Sequence, residues 1–99
     1  MIVYMSDWIS IKDAIGYEIN TKGQVRNTKT GRILKTHFNR PGGYERVDLH
    51  GQHRYIHRLI IENIYGYEMK NNEVIRHRDK NNANNDPRNL KIEQKFPHK

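Results

Sequence analysis

The chain has 99 residues, enough for one domain with a modest core and too few for two. Apolar residues make up 34% and charged residues 29%, so the core must be thin and the loops many, and the absence of cysteine excludes disulfides, thiol catalysis and Cys-based zinc sites. A formal charge of +7, no apolar run of membrane-spanning length and no signal-peptide pattern at the start argue against a membrane or secreted protein and predict a soluble cytoplasmic one.

The charge is unevenly spread. Lys and Arg against Asp and Glu give −2 over residues 1–21, +7 over 22–58, −2 over 59–75 and +4 over 76–99. Two basic blocks interleaved with Tyr44, Tyr55 and amide side chains suit phosphate neutralisation, which releases counterions and drives binding whatever the base sequence. Nucleic acid is therefore the expected partner.

In chain order, residues 1–16 carry Trp8, Ile9, Ile11 and Ile15 at spacings that fit neither a helix nor a long strand, and predict short strand or turn structure. Tyr17–Asn20 reads as a strand entering a turn at Thr21-Lys22-Gly23, with Gln24–Asn27 returning as the second arm of a hairpin. Thr28–Arg32 is a further turn and Ile33–Lys35 a further short strand. Phe38–Gly43, with Pro41 and paired glycines, breaks the pattern. Tyr44–Leu49 alternates regularly and places Val47 and Leu49 on one face, with Tyr44, Arg46 and Asp48 on the other. His50-Gly51-Gln52 supplies a turn and His53–Ile56 the antiparallel return. The outer face of this ribbon carries arginines and aromatics, which suits either a DNA groove or plain solvent.

From His57 the period becomes helical: Leu59, Ile60, Ile61, Ile64 and Tyr65 form an apolar stripe, and Gly66 suits the C-terminal cap. An Asn71-Asn72 turn then leads into the strand Glu73–Ile75. Beyond it, Val74-Ile75 and Leu90/Ile92 bracket an asparagine-rich loop with His77 standing where the first segment ends. A histidine there can accept a proton near neutral pH. The Asn and Asp side chains around it either close turns on the neighbouring backbone or offer oxygen ligands to a hard cation.

Three segments in order resemble one known family over nearly the whole chain. Trp8 with Ile11, then Gly16-Tyr17-Glu18-Ile19-Asn20-Thr21-Lys22-Gly23-Gln24-Val25-Arg26, then Leu34-Lys35, resembles the NUMOD4 segment found ahead of phage and intron HNH homing endonucleases. Gly43–Leu49 through Gly51 to Ile56-His57-Arg58-Leu59-Ile60 is similar to that family's sheet and helix start. Ile75-Arg76-His77-Arg78-Asp79, with Asn81, Asn84-Asn85 and Asn89-Leu90, resembles its HNH motif.

The resemblance implies an α+β fold in one domain over 1–99. Residues 1–42 would form a NUMOD4-like antiparallel sheet region, 43–72 a sheet hairpin and helix, and 73–99 a ββα-metal motif whose closing helix is short or absent. It implies His77 as the general base that activates water, Asn89 as the residue tying the loop to the strands, and His98 as a ligand of one divalent cation, Mg²⁺ or Mn²⁺. Asp79 is the candidate second ligand, or else it orients Arg78 or holds the loop. Arg46, Arg54, Arg58, Arg76, Arg78 and Lys80 would meet DNA phosphates. The implied activity is a metal-dependent DNA endonuclease or nickase, in a phage-encoded protein of a bacterial cell. Three positions depart from the pattern. Arg76 stands where an Asp or Asn ligand is usual and would repel a cation, Lys80 replaces a glycine and is expected to alter the turn, and the sequence stops at Lys99, beside His98. The alternative is an HNH-fold protein that binds DNA, or regulates through it, without a metal and without cleavage.

Overall fold

The computed structural model describes residues 8–95, so the expectations placed on Met1–Asp7 and on His98 lie outside the described residues. The first sheet is antiparallel, in the order β1 (Ile9–Ser10), β2 (Tyr17–Ile19), β3 (Val25–Asn27). Ile19 stands opposite both Ile9 and Val25, which lines up the apolar side of all three short strands. The β2–β3 turn forms at Thr21-Lys22-Gly23. Buried Asn20 closes it, its Oδ1 accepting from the backbone N–H of Lys22 at 3.0 Å and of Gln24 at 2.9 Å, and Gly23 provides the left-handed backbone at φ +81.

Two expectations need correction in the next segment. Ile33–Lys35 is no strand: Ile33 makes a single bridge to Arg26 and is half exposed, while Leu34 turns inward against the core. The turn before it is closed by paired bonds between Asn27 and Arg32 or Gly31, leaving too little extended chain for a ladder. Conversely, β4 (His37–Phe38) forms where only a break is expected, because the break falls one residue later. Arg40 and Gly43 close that turn, and Asn39 Oδ1 accepts from Tyr44 N–H at 3.2 Å, so Phe38 lies opposite Glu45.

β4 joins β5 (Glu45–Leu49) and β6 (Gln52–Tyr55) in the second sheet, order β4-β5-β6. Val47 and Leu49 are buried, as alternation requires. His50 at φ +51 and Gly51 at φ +79 form a two-residue connection with both central residues left-handed, the turn whose twist matches a tight hairpin.

The helix begins as α1 (Ile56–Leu59) and continues as a wider, π-wound turn over Ile60–Ile64. At the change of winding the Leu59 carbonyl accepts from the Asn63 side-chain amide at 3.0 Å, and farther on the Tyr65 N–H reaches back five residues to Ile60. This rotates the end of the expected stripe: Ile56, Leu59, Ile60 and Ile61 are buried, but Tyr65 is 55% exposed. Gly66, at φ +68, ends the helix.

The last unit is a two-stranded ladder of β7 (Glu73–His77) and β8 (Leu90–Gln94), with Ile75 opposite Ile92 and His77 opposite Leu90. A short 3₁₀ turn, Pro87–Asn89, precedes β8 and is capped by Asp86, whose carboxylate accepts from Arg88 N–H. One core joins the three sheets around the helix. Ile11, Ala14, Ile19 and Val25 come from the first sheet and its connections, Val47 and Leu49 from the second, and Ile75 and Leu90 from the third, all meeting the helical Ile56, Leu59, Ile60 and Ile61. Among the described residues no helix is long and apolar enough to cross a membrane.

The β2–β3 turn is pressed against this core. A Cβ at Gly23 would meet the Ile56 side chain at 3.1 Å, whereas one at Gly16, also left-handed at φ +95, would meet nothing within 4 Å. Gly16→Ala should therefore lose only the left-handed backbone penalty, about 1–2 kcal/mol, and Gly23→Ala distinctly more, a difference that urea unfolding of the two variants would measure.

Candidate functional site

His77 ends β7 with its ring turned into the protein and only 7% exposed. Its Nε2 lies 2.8 Å from Asn85 Oδ1, and Asn85 Nδ2 donates to Glu45 Oε1 at 3.1 Å. A carboxylate only accepts, so the Asn85 amide nitrogen must face Glu45 and its oxygen must face His77. In the neutral ring the proton then sits on Nε2 and the lone pair on Nδ1. Glu45 is fixed in turn by Thr36, whose hydroxyl donates to Oε2 at 2.6 Å.

Aromatic rings wall the histidine. Tyr44 stacks on it with centroids 6.0 Å apart, and the His57 ring lies 5.4 Å away and 4.8 Å from Tyr44. Burial pushes the His57 imidazole down to about 4, with His77 and Arg58 acting in the same direction. His57 is thus neutral at pH 7, and its Nδ1 is buried with no hydrogen-bond partner among the described residues.

The loop after His77 is built by its own amides. Asn89 Nδ2 donates to Asp79 Oδ1 at 2.9 Å and to the Asn84 carbonyl at 2.8 Å, while Asn89 Oδ1 accepts from Asp79 N–H at 3.1 Å. Asp79 also accepts from the Asn84 amide and from Asn81 N–H. These bonds, Asn84 foremost, hold its carboxyl below the usual range. Lys80 stands at φ +63, the left-handed conformation that glycine adopts without cost, and its N–H bonds the His77 carbonyl at 2.9 Å. The lysine therefore keeps a glycine-type turn at this position. Asn82 ties the loop to the β4–β5 turn through the Gly42 carbonyl at 2.9 Å.

A cleft of about 570 Å³ opens beside this loop, lined by His77 and Tyr44 together with Arg76, Arg78, Lys80 and Lys91, against the single carboxylate of Glu93. Arg76 stands directly opposite Lys91 in the β7–β8 register. Glu93 accepts from Arg76 Nε at 3.2 Å and from Lys91 Nζ at 2.8 Å, and these two cations, Lys91 foremost, keep its carboxyl below the usual range.

Of the residues expected to meet DNA, Arg76, Arg78 and Lys80 come together here with His77. Arg46 lies on β5, bonded to Asp48 and His53. Arg54 pairs with Asp13 and Arg58 with Glu62, two carboxylates that line a separate pocket. Asn85, Glu45, Lys91, Glu93 and His57 lie outside the site residues that the sequence leads one to expect. Lys91 and Glu93 were readable once β8 was placed in register with Arg76, whereas nothing local distinguishes Asn85 from the asparagines around it.

The sequence profile of HNH endonucleases matches residues 54–92, and that of the NUMOD4 motif matches residues 7–50. A solved structure described as "DNA binding and cleavage by the HNH homing endonuclease I-HmuI" superposes with a TM-score of 0.72 at 28% identity, over 90% of this chain. Together the two profile matches and this superposition support a member of the HNH homing endonuclease family. The chain spans about half of that relative's length, 53%. No curated protein matches the chain. The candidate site straddles both profiles, since Tyr44 and Glu45 fall in the first and His77 and Asn85 in the second.

The described residues do not fit the divalent cation that the HNH pattern implies. No three His, Asp or Glu side chains among them gather into a group able to hold a metal ion. Arg76 brings a guanidinium to the position where the resemblance implies a ligand, while Glu93 accepts from two cations and Asp79 from the loop amides.

Two predictions follow from this geometry. Asn89→Ala removes three bonds at the root of the loop and should cost about 1–3 kcal/mol in urea unfolding. For His57, a folded pKa of about 4 against an ordinary 6.5 means that the unfolded chain binds more protons between these values. Stability should fall as the pH drops from 6.5 toward 4. His57→Phe, which keeps a ring in place, should flatten thermal midpoints over that window, while loss from Asp86, held near 2 by Arg88, comes only at lower pH.

Proposed function

We propose that this chain is a DNA endonuclease of the HNH type, cutting or nicking a duplex with His77 as the general base. The observation that carries the reading is the fixed tautomer of His77: Nε2–H is held by Asn85, itself clamped by Glu45, so Nδ1 is the proton acceptor of a ring that cannot turn away. A base in the HNH position, beside a cationic cleft, suits attack on a phosphodiester. The water oxygen bonds to phosphorus, its proton passes to Nδ1, the bond from phosphorus to the 3′ oxygen breaks, and the leaving oxygen takes a proton from solvent. Arg78 and Lys80, on the loop that follows the base, offset the charge gathering on the phosphate oxygens. Asn89 keeps that loop in place, and I-HmuI, which binds and cleaves DNA by its description, supports DNA as the substrate.

One observation favours a second reading, a DNA-binding protein of this fold without cleavage. Arg76 brings a fixed positive charge to the site, and the described residues do not assemble a cation cage.

Supercoiled plasmid separates the two. Nicked circles should accumulate with the wild-type chain in Mg²⁺, in Mn²⁺ or in EDTA, and at least about 100-fold more slowly with His77→Ala. Equal nicking by His77→Ala rules out His77 as the base. Salt-sensitive plasmid binding with no nicking in any of the three buffers leaves the second reading.

A further inference from the structure

We propose that Arg76 takes the place of the metal in this cleft, so that a DNA phosphate is bound directly by a guanidinium beside His77 and its binding needs no divalent cation. This rests on the DNA-binding part of the function proposed above and adds to it the chemistry of the phosphate seat.

The register carries the first part of the argument. Arg76 and Lys91 face each other across β7 and β8, and like charges directly opposite in a ladder oppose pairing. The fold retains them with one carboxylate, Glu93, shared between two cations. Arg78 and Lys80 add two more positive charges to the same cleft. An anion entering there relieves repulsion that the protein itself leaves only partly compensated.

Donor geometry carries the second part. Glu93 occupies the Nε of Arg76, and a guanidinium has five N–H donors in a planar fork. The two terminal nitrogens make no bond among the described residues and can bind a phosphate in the two-point manner that arginine favours. The Arg76 side chain is 58% exposed, so DNA can reach it without unfolding the ladder. A divalent cation finds the opposite conditions, with cations on most sides and its candidate oxygens already bonded.

Fluorescence anisotropy with a short DNA duplex, in EDTA and in Mg²⁺, tests this on the wild type, Arg76→Gln and Arg76→Asp, with thermal unfolding as a check on each fold. The wild type should bind equally in both buffers. Arg76→Gln should bind about tenfold more weakly, and the slope of log affinity against log salt should shrink by about 0.9, one phosphate contact. Arg76→Asp, which supplies a carboxylate, should bind poorly in EDTA and recover with Mg²⁺, since that ion is held by few carboxylates together with substrate phosphate. Loss of wild-type binding in EDTA, or an Arg76→Gln variant unchanged in both affinity and salt slope, overturns the proposal and leaves DNA binding standing. No duplex binding by any variant in either buffer overturns both.

Discussion

One buried amide connects the two halves of the molecule. Asn85 donates to Glu45 on the second sheet and accepts from His77 at the end of β7, across separations of forty and eight residues. A buried amide left unsatisfied is costly, so each of its bonds is enforced by the other. Removing Glu45 would free the amide to turn over and present its nitrogen to the histidine, with the opposite tautomer as the consequence. The tautomer of His77 is thus decided outside the motif that contains it.

Around that connection the core is thin. Twelve buried apolar residues from three small sheets and one short helix must order a chain rich in polar loops, and the loops compensate with amides. Asn20 closes the first hairpin turn, Asn39 the turn before β5, Asn63 the point where the helix widens, and Asn89 the loop beneath the cleft. Asn20, Asn39 and Asn89 bond backbone groups of the turns and the loop, which is how a chain of this composition avoids unpaired backbone in its irregular segments. The cationic cleft is the exception, because there like charges are gathered and left to a single carboxylate.

The fold is legible from the sequence where the governing forces are local. Alternation through Val47 and Leu49, the turns at Thr21-Lys22-Gly23 and His50-Gly51, and the apolar run from Ile56 all act within a few residues. β4 is not, since a two-residue strand has no period and exists only because Glu45 and Arg46 lie opposite. Tyr65 leaves the predicted stripe because the helix widens to a π-wound turn over Ile60–Ile64, which the apolar spacing does not announce. The site divides in the same way. His77 stands out against its apolar anchors and Asn89 through the family resemblance, while Asn85 matters through Glu45, a residue that no local pattern relates to it. Arg54 and Arg58 read as DNA contacts by charge alone, and their pairing with Asp13 and Glu62 depends on tertiary neighbours.

The asparagine that ties the loop to Gly42 bears on how such proteins diversify. The two matched segments look like separable cassettes, meeting between residues 50 and 54. Yet the first cassette supplies the carboxylate, the tyrosine and the glycine carbonyl against which the second one's histidine loop is moulded. Recombination at that seam would join intact motifs and still mismatch the interface between them. The two halves are free to change their exposed surfaces, but they must inherit the contact between them together.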